Sequence, residues 1–170
     1  MVGMIPPGIN DLRPWHDWPA AAHGVLECLH QHVGWDVWMV TRVVDDRQIV
    51  LCAVPQGPVS PGARLPWQES FCREMVEGRA PRVATVTAVV PPYATRTKGL
   101  AEDVAAYLGV PLVAPDGTLF GTLCGVAYRA KPRSAARELA VVETMARLLS
   151  TLLVPDFPAD SALVLPPPLT

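Results

Sequence analysis

Residues 106–128 read AYLGVPLVAPDGTLFGTLCGVAY, two apolar runs on either side of Pro115-Asp116-Gly117-Thr118. The Asp-Gly pair lets the backbone reverse, because glycine accepts positive φ without a Cβ clash. A hairpin is predicted. From Leu119 the side chains alternate between Leu119, Gly121, Leu123, Gly125, Ala127 and Phe120, Thr122, Cys124, Val126, Tyr128. Both sets are largely apolar, so both faces need covering, and the strand belongs in the middle of a sheet. Gly121, Gly125 and Ala127 are small enough to admit a helix, whereas Phe120, Thr122 and Cys124 would floor a pocket.

What covers the hairpin is read from the flanking sequence. Residues 1–19 hold four prolines and two glycines and are expected as a flexible arm. Asp17 then caps a helix over Ala20 to Val33, with Ala22, Leu26, Leu29 and Val33 as its buried stripe and Gly34 as its stop. A strand over Trp35 to Val44 and a return over Gln48 to Val54 make a second hairpin, with Trp35 and Trp38 expected on opposite layers. Pro55 to Pro66 reads as a long loop. Trp67 to Glu77 reads as a helix that buries Trp67, Phe71, Cys72, Met75 and Val76 and exposes Arg73, Glu74 and Glu77. Arg82 to Val90 is expected as an edge strand. Leu100, Val104 and Leu108 are spaced for a short helix from Leu100 to about Ala106. Pro111 implies a bulge or an open edge. The last helix, Ala135 to Leu153, is capped by Ser134, and Val141, Met145, Leu148 and Leu152 widen its apolar band into a candidate dimer surface. Residues 154–170 form a proline-rich tail expected to be disordered.

Composition narrows the functions. Of 170 residues, 50% are hydrophobic and 18% charged, which suits one folded domain, and a net charge of -2 gives no electrostatic case for nucleic acid. No apolar run reaches the ~20 residues a membrane span requires, and no secretory signal is visible, so a cytoplasmic location is expected. Cys28, Cys52, Cys72 and Cys124 are scattered, without zinc or disulfide spacing. His23, Glu27 and His30 share helical spacing, read as a solvated face, and no metal site is expected.

The order helix, hairpin, loop, helix, strand, broken segment, hairpin, helix is an α+β plan with an antiparallel sheet. WQESFCREMVEG at residues 67–78, then Ala80-Pro81-Arg82-Val83, YLGVPL at 107–112 and DGTLFGTLCGV at 116–126 resemble GAF domains of bacterial signalling proteins, similar to those next to diguanylate cyclase or histidine kinase modules. The resemblance covers residues 20 to 153. It implies a profilin- or PAS-like antiparallel sheet of five or six strands, with terminal helices on one face and short helices and loops roofing a small-molecule pocket on the other. The roof would come from Trp67 to Val76 and Pro91 to Ala106. GAF domains bind cyclic nucleotides, bilins, haem or small metabolites, or dimerise. The cyclic-nucleotide motif has no counterpart near Lys98, and no Cys-His pair stands where bilin attaches. No output domain is expected after Leu153.

Free methionine-R-sulfoxide reductases are also GAF proteins, and Cys72 falls near one of their cysteines. The other cysteines of that enzyme have no counterpart between Pro91 and Val110. Cys72 is read as a small buried hydrophobe. The reading is a non-catalytic sensory or regulatory domain that binds an unidentified small molecule, or a homodimeric signalling module joined through its first and last helices and read by an output protein. The cofactor is unknown. Pocket candidates are Trp67, Ser70, Phe71, Tyr93, Tyr107, Phe120, Thr122 and Cys124. A structural dimerisation module is the alternative, and a thiol reductase a further one.

Overall fold

Asp17 opens helix α1, Trp18–Val33, by accepting from the Ala20 amide at 2.8 Å, and Gly34 closes it at φ 75°. The helix starts two residues earlier than expected because Trp18 and Pro19 fit its first turn and are buried. The computed structural model describes residues 6–96 and 102–154. Six antiparallel strands follow one another in space as β3-β2-β1-β6-β5-β4. They are β1 Val37–Val44, β2 Arg47–Val54, β3 Arg64–Pro66, β4 Val83–Ala84, β5 Ala106–Val113 and β6 Leu119–Ala127. The β5–β6 hairpin is present as predicted. Gly117 turns at φ 87°, and Asp116 Oδ1 accepts from both the amide and the hydroxyl of Thr118. β6 lies between β1 and β5, in the interior of the sheet.

One face carries α1 and helix α4, Leu139–Thr151. There Leu26, Leu29, Val142, Ala146 and Leu149 meet Trp38, Val40, Leu108, Val110 and Leu123. Trp18 Nε1 donates to Leu149 O at 2.8 Å and ties the two helices together. The other face carries α2, Phe71–Val76, and α3, Pro91–Ala94, over Val37, Met39, Val50, Tyr107, Cys124 and Val126. This is the α+β architecture expected, with the terminal helices on one side and a thin roof on the other.

Several local expectations fail for identifiable reasons. Trp35 precedes the strand, so alternation does not govern it. Both Trp35 and Trp38 face the helices, their rings 6.1 Å apart. Part of the 55–66 loop is edge strand β3, paired with residues 47–49 of β2. The expected strand from Arg82 shrinks to two residues, because Thr87 turns inward and donates to Val104 O at 2.8 Å. No helix occupies 102–106. Val104 is buried under the roof, Leu108 belongs to β5 on the helix face, and Leu100 lies outside the described residues. Ser134 caps nothing: a 3-10 turn, Arg133–Glu138, precedes α4 without a side-chain cap. Pro111 sits where β4 no longer covers β5, which pairs with β4 only at Tyr107 and Leu108. Two residues on, the Val113 amide donates to Ser150 Oγ at 3.0 Å.

Candidate functional site

The roof is built by local chemistry. Ser70 Oγ accepts from the Arg73 amide and starts α2, and it donates to Trp67 O at 2.9 Å, so a 3-10 turn at Trp67–Glu69 runs straight into the helix. Phe71, Cys72 and Met75 then point to the sheet. Phe71, Tyr93 and Tyr107 form a mutual edge-to-face cluster, with centroids 5.1 to 5.4 Å apart. Tyr93 also donates to Pro81 O at 2.5 Å.

Glu74, expected on the outer side, is buried instead. Arg79 donates to it at 2.8 and 3.1 Å and Arg96 at 2.5 Å, which together hold its carboxyl below the usual range. Arg96 reaches across to Gln68 O as well. A six-residue helix has too few turns to keep a whole face in water when the following chain folds under it.

Between roof and sheet lies a cavity of about 50 Å³. Its walls include Met39, Val50, Leu65, Phe71, Val104 and Val126, with Ser70, Gln48, Thr41, Tyr107, Cys72 and Cys124 as the polar and sulfur groups. The polar groups converge on one atom. Gln48 Nε2 donates to Thr41 Oγ1 at 2.9 Å and to Thr122 Oγ1 at 3.2 Å. The two threonine hydroxyls are 2.7 Å apart. Thr122 donates to Cys72 Sγ at 3.3 Å, and Tyr107 donates to the same sulfur at 3.2 Å. A hydroxyl has one hydrogen, so with that of Thr122 directed to sulfur, Thr41 must donate to Thr122. The chain Gln48, Thr41, Thr122, Cys72 therefore has a single direction, ending on sulfur.

The Cys124 thiol completes the set. Its proximity to Cys72 is the largest influence drawing the Cys72 pKa down, followed among the favourable ones by the hydrogen bonds of Thr122 and Tyr107, all working against burial. Cys124 is pushed well up by the neighbouring Cys72 and by burial. Tyr107 is raised by burial and by the neighbouring sulfur. Cys72 is buried, as expected, but as the second residue of α2 it also accepts hydrogen bonds from Tyr107 and Thr122.

Of the eight pocket candidates, Ser70, Phe71, Tyr107 and Cys124 line the cavity. Thr122 stands behind it in contact with Cys72, and Tyr93 backs Phe71 and Tyr107. Trp67 is half-buried at the edge of the roof cluster. Phe120 is a correction. The β5–β6 register shifts between Leu112 and Val113, leaving Phe120 as the extra residue. It turns to the helix face, its ring 5.4 Å from Trp18 and under the Arg42 guanidinium. The remaining face assignment holds, with Gly125 against the Trp38 ring and Thr122 and Cys124 under the roof.

Sequence reasoning missed Thr41, Gln48 and Cys72. Thr41 lies directly opposite Thr122 on the neighbouring strand, and Gln48 is its diagonal neighbour across the β1–β2 hairpin. A polar Gln48 opening an apolar strand was the one visible signal. Among the described residues no three His, Cys, Asp or Glu side chains gather as metal ligands. His30 Nδ1 instead lies 3.3 Å from Trp35 O. A larger groove of about 300 Å³ opens beside the 115–118 turn, between Arg42, Phe120 and Leu153, but it lacks such convergence.

An α+β domain with paired terminal helices behind the sheet and a roofed, polar-centred cavity in front defines a GAF-type architecture. The sequence matches the GAF domain family over residues 17–153, and the chain belongs to that family. Its fold is similar to free methionine-R-sulfoxide reductase from Neisseria meningitidis, solved in complex with its substrate, at 19% identity and TM-score 0.62 over 79% of this chain and 77% of that one. It is also similar to the GAF domain of a Coxiella burnetii phosphoenolpyruvate-protein phosphotransferase, at 16% identity and TM-score 0.62 over 84% and 85%. The chromophore-binding domain of a Stigmatella aurantiaca phytochrome matches at 16% identity and TM-score 0.65 over 86% of this chain and 57% of that one. No curated protein matches the chain.

Proposed function

We propose that this GAF domain is a non-catalytic sensory or regulatory unit whose ligand is a small molecule held between β1, β2, β5 and β6 and the α2 roof. The observation that supports the reading is the convergence of Gln48, Thr41, Thr122 and Tyr107 in an otherwise apolar space. Packing alone would be served as well by apolar side chains, since buried polar groups cost free energy unless every one is satisfied. About 50 Å³ holds a few water-sized groups, against roughly 300 Å³ or more for a metabolite pocket. A larger ligand therefore enters only by lifting α2, and that displacement is the signal. No described helix is long and apolar enough to cross a membrane.

Native mass spectrometry of protein purified from its own host, before and after mild denaturation, tests the reading. A mass excess that disappears identifies the ligand. A bare mass, together with no thermal shift across a metabolite panel, sinks it.

A dimeric signalling module is the second reading, favoured by α4. Val141, Leu148 and Leu152 are 42%, 60% and 55% exposed, and with half-buried Met145 they are spaced four, three and four residues apart. That is the spacing of a coiled-coil seam. α1 presents Glu27, Gln31 and His32 to solvent and no large exposed apolar side chain. The homodimer proposed here is consequently centred on α4, and an output partner would read the angle between its two copies.

A further inference from the structure

The buried sulfur pair has a capacity that ligand binding does not use. Cys72 and Cys124 come from different elements, α2 and β6, yet their side chains share the wall of one cavity. Tyr107 and Thr122 both donate to Cys72 Sγ, and among the described residues no acceptor is directed at it. Two donated hydrogen bonds favour the anion on that one sulfur, with a second thiol on the same cavity wall. Cys52, by contrast, is buried on the helix face, its pKa pushed up to about 12, and it is inert by the same reasoning. Cys28 is half-buried and remote from the cavity, which makes it an internal reference.

We propose that Cys72 and Cys124 are a two-electron redox pair, in which Cys72 is oxidised by a small hydroperoxide and Cys124 resolves it into a disulfide that pins α2 to the sheet. The Cys72 thiolate attacks one peroxide oxygen. The O–O bond breaks, Cys72 becomes a sulfenic acid, and hydroxide leaves and takes a proton from solvent. The Cys124 sulfur then attacks the Cys72 sulfur, the S–O bond breaks, and the departing oxygen leaves as water with the Cys124 proton. Two thiols and one hydrogen peroxide give one disulfide and two waters. A small dithiol reverses the bond. The cavity of about 50 Å³ beside both sulfurs admits an oxidant of that size and excludes bulky ones.

The pairing depends on the two thiols and not on any ligand, so it stands or falls separately from the sensory reading. Reduced full-length protein is exposed to hydrogen peroxide, quenched with N-ethylmaleimide in denaturant, and digested without reduction for mass spectrometry. One new cross-link joining the Cys72 and Cys124 peptides is expected, with Cys28 and Cys52 still alkylated. Cys72 should disappear on the order of tenfold faster than Cys28. Cys124→Ser, or Cys124→Ala if the first variant loses its circular dichroism signal, should stop at a Cys72 sulfenic acid captured by dimedone. Tyr107→Phe and Thr122→Val should each slow Cys72 relative to Cys28 severalfold. Unlinked peptides when half of Cys28 has reacted, a bond to Cys52, or donor variants that leave the rate unchanged would each overturn the proposal.

Discussion

Gly121 has no room for a side chain, since a Cβ there would meet Thr41 O at 1.8 Å. The obstacle is backbone of the neighbouring strand and cannot rotate away. Gly121→Ala is expected to cost more than about 2 kcal/mol in urea unfolding, and a loss below about 0.5 kcal/mol would contradict the close approach. Gly109 is different. Its missing Cβ leaves the space taken by the Tyr107 ring, whose hydroxyl lies 1.9 Å from where that atom would be. Glu74 gives a pH prediction. Its carboxyl is held low in the folded state, so its stabilisation is complete above the unfolded value near 4.5 and is lost as pH falls through the lower folded value. Glu74→Gln should therefore lose about 1–3 kcal/mol at neutral pH, with the gap to wild type closing in thermal melts below about pH 4.5. A constant gap down to pH 3 would be wrong for this mechanism. Neither Glu74 nor Phe120 was legible beforehand. Periodicity places a side chain on a face, but the helix is too short for its outer face to survive, and a bulge reverses the face at residue 120.

At the scale of elements, those with both ends marked in their own residues are legible, although Ser134 shows that a capping residue type alone does not make a cap. α1 carries its own start and stop in Asp17 and Gly34, and the 114–118 turn carries Asp116 and Gly117. Elements whose limits depend on distant partners were misjudged. β4 ends where Thr87 finds Val104, and β3 exists because β2 has an edge to fill. α4 is the element on which assembly is tested. Leu148→Lys, in the middle of its exposed seam, should convert a dimer to a monomer in light-scattering chromatography and leave the melting temperature within a few degrees. Wild-type protein that elutes as a monomer at every concentration, or a variant dimer indistinguishable from it, removes α4 as the interface.

Across the whole molecule the architecture was legible and the chemistry was not. Motif order along residues 67–126 pointed to the family and hence to sheet, helices and roof. The site depends instead on strand order, which brings Thr41 of β1 against Thr122 of β6 and places both beneath Cys72 of α2. No linear reading supplies that juxtaposition. Buried apolar side chains fasten both layers over the sheet, and the front one adds a charged clasp. Behind it, α1 and α4 are held by buried apolar side chains. In front, the end of the roof is clasped by Glu74 between Arg79, close to half exposed, and Arg96. Dissolved ions weaken charge attraction, with a screening length of about 3 Å at 1 M, and leave apolar burial intact. Raising sodium chloride should speed hydrogen exchange at the α2 amides severalfold while those of β5 and β6 hold steady, and uniform protection would count against it. Salinity would then act as a dial on one lid of a folded protein, loosening the cover while its floor stays fixed.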